Sequence, residues 1–191
     1  VNAKSVRSVL ADVVIRVNAR EATLNLTDFR SAAKESTLSA VNFEADYMDG
    51  TQNLIFFGTN SLTSGGYGGV ICNMFGGLNI TGADSAAMLT VKGIRPESQS
   101  SAGSTHAVYA KDRIGIMQGK YRLSGVSNHS GQPYDPPAQG GSGVYSREGE
   151  VRIGSEDPRI STDLYAFGGT GGGFIPEETV ADGHLIRQTA G

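Results

Sequence analysis

From about residue 20 onward the sequence breaks into runs of four to eight residues that are apolar or alternate apolar with polar, each closed by turn-forming residues. They include TLNLT, TLSAVNF, LIFFG, GVICNMF, GLNIT, MLTVKGI, AVYAK, RIGIM, KYRLSGV, GVYS, EVRIG, DLYAFGG, GGFI and HLIRQ. A packed helix needs apolar positions three and four apart over ten or more residues, and these runs are too short for that. The expected class is all-β, as a sandwich, a barrel or a β-helix-like winding. The 27 glycines among 191 residues fit the same reading, being about twice the ~7% of an average protein.

Two segments allow a helix. KSVRSVLADVVIRVNA satisfies both periods, but its valines favour a strand, because β-branched side chains lose rotamer freedom in a helix. DFRSAAKE, with Thr27 or Asp28 as N-cap, would be a helix of two turns at most. MDGTQ (48–52), MQGKY (117–121) and REGEV (147–151) look like hairpin turns, so antiparallel pairing is expected across them. The polar stretch 95–105 suggests a boundary between an N-terminal β unit (1–95) and a C-terminal one (105–191), or a connection within one continuous domain. Residues 127–143 form the longest stretch without a strand pattern, and a loop of that length is usually functional or mobile. The chain begins at Val1, as expected of a processed or excised piece.

One phrase occurs twice. LNLTDFRSAA (24–33) returns as LNITGADSAA (78–87), Val14-Ile15 matches Val70-Ile71 upstream, and NLIFFGTN (53–60) is echoed by DLYAFGGT (163–170). A spacing near 54 residues is too long for one β-helix coil and fits a small multi-strand unit used again; reuse of common strand residues by chance is the alternative. In L-N-L-T the leucines face one way and the polar residues the other, as in a half-buried strand.

The net charge of −3 gives no electrostatic footprint for nucleic acid, and the longest apolar run falls far short of the ~20 residues of a spanning helix. Neither nucleic acid nor membrane insertion is expected. Cys72, the single cysteine, cannot form an intrachain disulfide and reads as a small buried hydrophobe. GIMQGKY (115–121) is one residue short of a P-loop and carries Tyr121 where Ser or Thr would be needed, and no dinucleotide, hydrolase-elbow, zincin or CxxC motif occurs. His106, His129 and His184 lack ligand spacing, so no metal and no cofactor is expected. Asn25, Asn79 and Asn128 head glycosylation sequons, the first two better explained as strand residues.

Two constellations retain chemical interest. Glu148 and Glu150 flank a glycine and are the candidate acid and base of a glycan-cleaving enzyme, which needs two carboxylates. His129, Tyr134, Asp135, Tyr145 and Arg147 offer aromatic faces and fork-shaped donors for a sugar bound without cleavage.

In its phrase LNITGADSAAMLTVKGI, and in the style of residues 20–125, the chain resembles the β-rich shafts and heads of bacteriophage tail fibres and tailspikes, phage hyaluronidases among them. The resemblance implies a homotrimer in a virion or extracellular setting, in contact with other virion proteins and recognising a bacterial surface polysaccharide. It transfers no catalytic residue. The expected function is structural or adhesive rather than enzymatic, with a polysaccharide depolymerase and a jelly-roll capsid or decoration protein as alternatives.

Overall fold

The computed structural model describes residues 2–4, 13–19, 21–33, 38–44, 50–66, 68–94, 105–126, 140–169 and 185–190. Among them the chain forms strands and no helix. The strands are β1 (Asn2–Lys4), β2 (Ile15–Val17), β3 (Thr23–Thr27), β4 (Arg30–Ala33), β5 (Val41–Phe43), β6 (Thr51–Phe57), β7 (Thr59–Ser64), β8 (Gly68–Asn73) and β9 (Gly77–Gly82). They continue as β10 (Met88–Gly93), β11 (Thr105–Ala110), β12 (Ile114–Ile116), β13 (Gly119–Ser124), β14 (Val144–Ser146), β15 (Val151–Ile153), β16 (Thr162–Phe167) and β17 (Leu185–Ala190).

Each strand from β2 to β13 pairs with the strand three places later. Sheet A is β1-β3-β6-β9-β12-β15, sheet B is β2-β5-β8-β11-β14, and sheet C is β4-β7-β10-β13-β16-β17. From β3 onward the chain visits A, C and B in turn, so it winds as a three-faced solenoid of parallel strands. Among the described strands only β17 runs antiparallel, against β16. Of the architectures expected, the β-helix-like one is present.

The winding follows from the alternation. In β3 Leu24 and Leu26 are fully buried while Thr23, Asn25 and Thr27 face outward. Identical positions of successive coils then stack into interior columns: Leu24, Leu54, Ile80, Ile116 and Ile153 in sheet A. Ile15, Val41, Ile71, Val108 and Val144 do the same in sheet B. Sheet C supplies Leu62, Val91, Leu123 and Ala166. Each fully buried Leu or Ile contributes roughly 1.5–3 kcal/mol of transfer free energy, so the columns are the main source of cohesion. Phe56 and Tyr121 meet edge to face inside the tube, with ring centroids 5.2 Å apart.

Four local expectations are corrected. MQGKY is the corner between β12 and β13, REGEV the corner between β14 and β15, and of MDGTQ residues 50–52 lead into β6 while 48–49 lie outside the described residues; the strands at these places pair in parallel with other coils, not with each other. A solenoid corner needs the same glycine-assisted reversal of direction as a hairpin, so residue type does not tell them apart. DFRSAAKE is no helix over its described residues: Asp28 sits at the corner with φ of 46° and Arg30–Ala33 is β4. The Asp28 carboxylate accepts the N–H of Thr59 at 2.9 Å, bonding one coil to the next instead of capping a helix.

The repeat resolves into two parts. Ile15 and Ile71 lie in the same column of sheet B, two coils apart and in register through Val41, while Val14 lies just before β2 and Val70 within β8. LNLT and LNIT both lie in sheet A, two coils apart, but Leu24 stacks through Leu54 on Ile80, so the copies are offset by two residues. That offset carries Ser31-Ala32-Ala33 into β4 and leaves Ser85-Ala86-Ala87 in the turn before β10. NLIFF is in sheet A and DLYAF in sheet C, so that echo is coincidence. Residues 95–104 lie outside the described residues; the pairs β8 with β11, β9 with β12 and β10 with β13 join the segments on either side.

Candidate functional site

The corner from sheet B to sheet A is built alike in three successive coils. In the first, buried Asn73 donates from Nδ2 to the Gly77 carbonyl at 2.9 Å and accepts the N–H groups of Phe75 and Gly76 at 3.2 Å. Lys111 N–H then donates to the Asn73 carbonyl at 2.9 Å, and Glu148 N–H to the Lys111 carbonyl at 2.7 Å. The Ser146 hydroxyl donates to the Asp112 carbonyl at 2.7 Å and accepts from Gly149 N–H at 3.1 Å. These bonds hold the segment that carries Tyr145, Arg147, Glu148 and Glu150.

Beside this corner three aromatic rings stack on sheet B. Tyr145 and Tyr109 are register partners on β14 and β11, and their ring centroids are 5.8 Å apart. His106 lies 4.5 Å from Tyr145 with ring planes at 8°, and 5.9 Å from Tyr109. His106 and Tyr109 are three apart, which a regular strand would send to opposite faces. The strand is irregular between them, because successive N–H groups of Ala107 and Val108 both donate to the next coil, to Ser142 and Gly143, as at a bulge. Gly69 forms the floor: a Cβ there would stand 2.9 Å from Tyr109 Cβ, so a side chain would displace the ring.

Charge and solvent act differently on the three rings. Tyr109 is nearly buried and Tyr145 is 40% exposed, so Tyr145 presents the accessible face. Burial lowers the His106 imidazole to about 4, and its Nδ1 accepts the Ser142 N–H at 2.8 Å as neutral imidazole can. Burial pushes the Tyr109 phenol up, while a hydrogen bond from Arg147 pulls the other way. The Arg147 guanidinium thus lies beside the stack with much of its surface open.

Next to the stack opens a groove of about 620 Å³ lined by Thr51, Gly77, Asp112, Arg113, Glu148, Gly149 and Glu150. Both carboxylates singled out in the sequence therefore share one depression. Each is paired: Glu148 with Lys111 and Arg147 at 3.8 Å, Glu150 with Arg152 at 2.7 Å. All five side chains are partly exposed, so these pairs contribute little to stability. Among the described residues no group of three His, Cys, Asp or Glu side chains converges to hold a metal ion.

Of the residues chosen for a sugar site, the structure brings Tyr145 and Arg147 together, whereas His129, Tyr134 and Asp135 lie outside the described residues. Sequence reasoning missed Tyr109 and His106. Their signal was weak, since AVYAK reads as a buried strand and only a three-dimensional irregularity turns His106 toward the tyrosines. Cys72 is buried, as expected, and burial pushes its thiol up to about 12. Comparison with family models, with curated proteins and with solved structures finds no match for the chain.

Proposed function

We propose that the chain is a structural and adhesive solenoid that recognises a glycan at the Tyr145 stack, as part of a homotrimeric attachment component of a virion. The observation that carries the glycan reading is the exposed Tyr145 face, backed by His106 and Tyr109, with the Arg147 guanidinium beside it. A flat apolar ring next to a fork-shaped donor suits a sugar, whose C–H face lies on the ring while its hydroxyls take the hydrogen bonds. The adjoining groove supplies carboxylate acceptors from Glu148 and Glu150 for further hydroxyls. The virion setting rests on the resemblance of the repeated phrase to tail-fibre shafts. Large apolar side chains at strand ends, Phe57 at 41% and Phe167 at 45% exposure, support association of copies.

The second reading is a polysaccharide depolymerase working in the groove, favoured by the shared placement of Glu148 and Glu150. Retention of a surface polysaccharide that weakens in Tyr145→Ala, without shortening of the polymer, supports adhesion. Chain shortening that disappears in Glu148→Gln or Glu150→Gln supports the enzyme.

A further inference from the structure

The outer face of sheet C has a charge unlike that of the chain as a whole. Lys120 and Arg122 point outward on either side of buried Tyr121 along β13, and Lys92 points outward from the adjacent strand β10. Thr90 of β10 is the register partner of Arg122, so Lys92 lies diagonal to it. Arg30 stands in the same row as Arg122, reached through Ser61 and Thr90. All four cations are exposed, and none takes part in the ion pairs formed among the described residues. On β4, β7, β10, β13 and β16 the one outward acid is Asp163, the register partner of Lys120. Four cations thus face one carboxylate on a chain of net charge −3.

We infer that this face is a second binding surface, separate from the Tyr145 stack, whose ligand is a linear acidic polysaccharide. Neighbouring strands are ~4.8 Å apart and alternate residues along a strand ~6.6 Å apart, so the cations form a flat grid rather than a pocket. A flat grid meets a polymer with carboxylates set a sugar or two apart better than it meets a compact anion. Between the cations stand the hydroxyls of Ser61, Thr63, Thr90 and Ser124, which can exchange hydrogen bonds with sugar hydroxyls. Four cations on an acidic chain are few for the dense phosphates of nucleic acid, which favours the polysaccharide.

The test uses the full chain on immobilised polygalacturonate, dextran and a short duplex DNA at low and high salt. Polygalacturonate is expected to retain the protein at low salt and dextran to fail at this face. Affinity for polygalacturonate should fall at least tenfold in Lys120→Ala/Arg122→Ala and in high salt, and stay unchanged in Tyr145→Ala. Lys92→Glu, at an exposed position on another strand, gives the same loss without touching β13. No retention on polygalacturonate, or retention unaffected by both variants, overturns the inference. Tighter binding to DNA assigns the face to nucleic acid, and salt-sensitive self-association abolished by the same variants assigns it to a second copy. Either of these outcomes overturns it as well. Because the stack variant is scored separately, failure here leaves the adhesion reading standing, and the reverse holds.

Discussion

Tyr145 lies flat on His106, with ring centroids 4.5 Å apart and planes 8° from parallel, while Nδ1 of His106 accepts the N–H of Ser142 at 2.8 Å. The exposed ring is thus supported by a histidine whose own orientation is fixed by backbone of the next coil. Such a stack is worth ~0.5–1.5 kcal/mol beyond area burial.

The same histidine makes stability depend on pH. Its value falls from 6.5 to about 4 on folding because burial disfavours the charged ring. Between those values the unfolded chain takes up a proton that the folded chain does not, so the contribution is complete above pH 6.5 and is lost as pH falls toward 4. His106→Gln, which keeps an acceptor and cannot titrate, should flatten thermal stability against pH across this window. An unchanged profile in that variant would assign the acid sensitivity to other groups.

Tyr121 is buried, and its hydroxyl reaches the carbonyls of Ile80 at 2.9 Å and Gln118 at 3.0 Å. Burial pushes this phenol well up, so it remains the neutral donor throughout the accessible range. Tyr121→Phe keeps the edge-to-face contact with Phe56 but leaves the carbonyls short of a donor, at a cost of about 1–2 kcal/mol. Denaturant unfolding should show a lower midpoint with an unchanged slope.

Ile80 occupies the middle of the sheet A column, fully buried between Leu54 and Ile116. Ile80→Ala should cost about 2–5 kcal/mol by leaving a cavity. Asn79, its neighbour on the outer face, should tolerate Asn79→Ser within about 1 kcal/mol. Chemical denaturation of the two variants separates the inner face from the outer one; equal losses would contradict the assigned alternation.

Association of copies has its own check. Light scattering at micromolar concentration should return three times the 19.9 kDa chain mass. A monomer under those conditions would remove the trimeric attachment reading while leaving the solenoid intact.

Much of the strand content was legible because inward and outward residues alternate so strictly: TLNLT is β3, GLNIT opens β9 and MLTVKG is β10. β7 was missed because TNSLTS is polar, with Asn60 and Ser64 buried but not apolar. Asn60 is accommodated by donating to the nearby Phe57 carbonyl and by accepting the N–H of Phe29 in the preceding coil, a link between coils that no local pattern announces. Parallel winding was obscured for a related reason, since Gly119 with φ of 117° looks the same in sequence whether it turns a hairpin or a corner. The two-coil reuse of Val-Ile was visible, whereas the two-residue offset of LNLT against LNIT appears only when Leu24, Leu54 and Ile80 are seen in one column. At the site, Tyr145 and Arg147 could be found from residue type; their support by Tyr109 and His106 depends on the irregularity in β11.

The central claim, that the Tyr145 stack recognises a glycan, is tested most directly by binding to a panel of purified bacterial surface polysaccharides, comparing the native chain with Tyr145→Ala. The account predicts retention on at least one polymer, at least tenfold weaker in the variant, with melting temperature changed by no more than a few degrees. Binding to none of the panel, or a panel on which no polymer is bound more weakly by Tyr145→Ala than by the native chain, would contradict it.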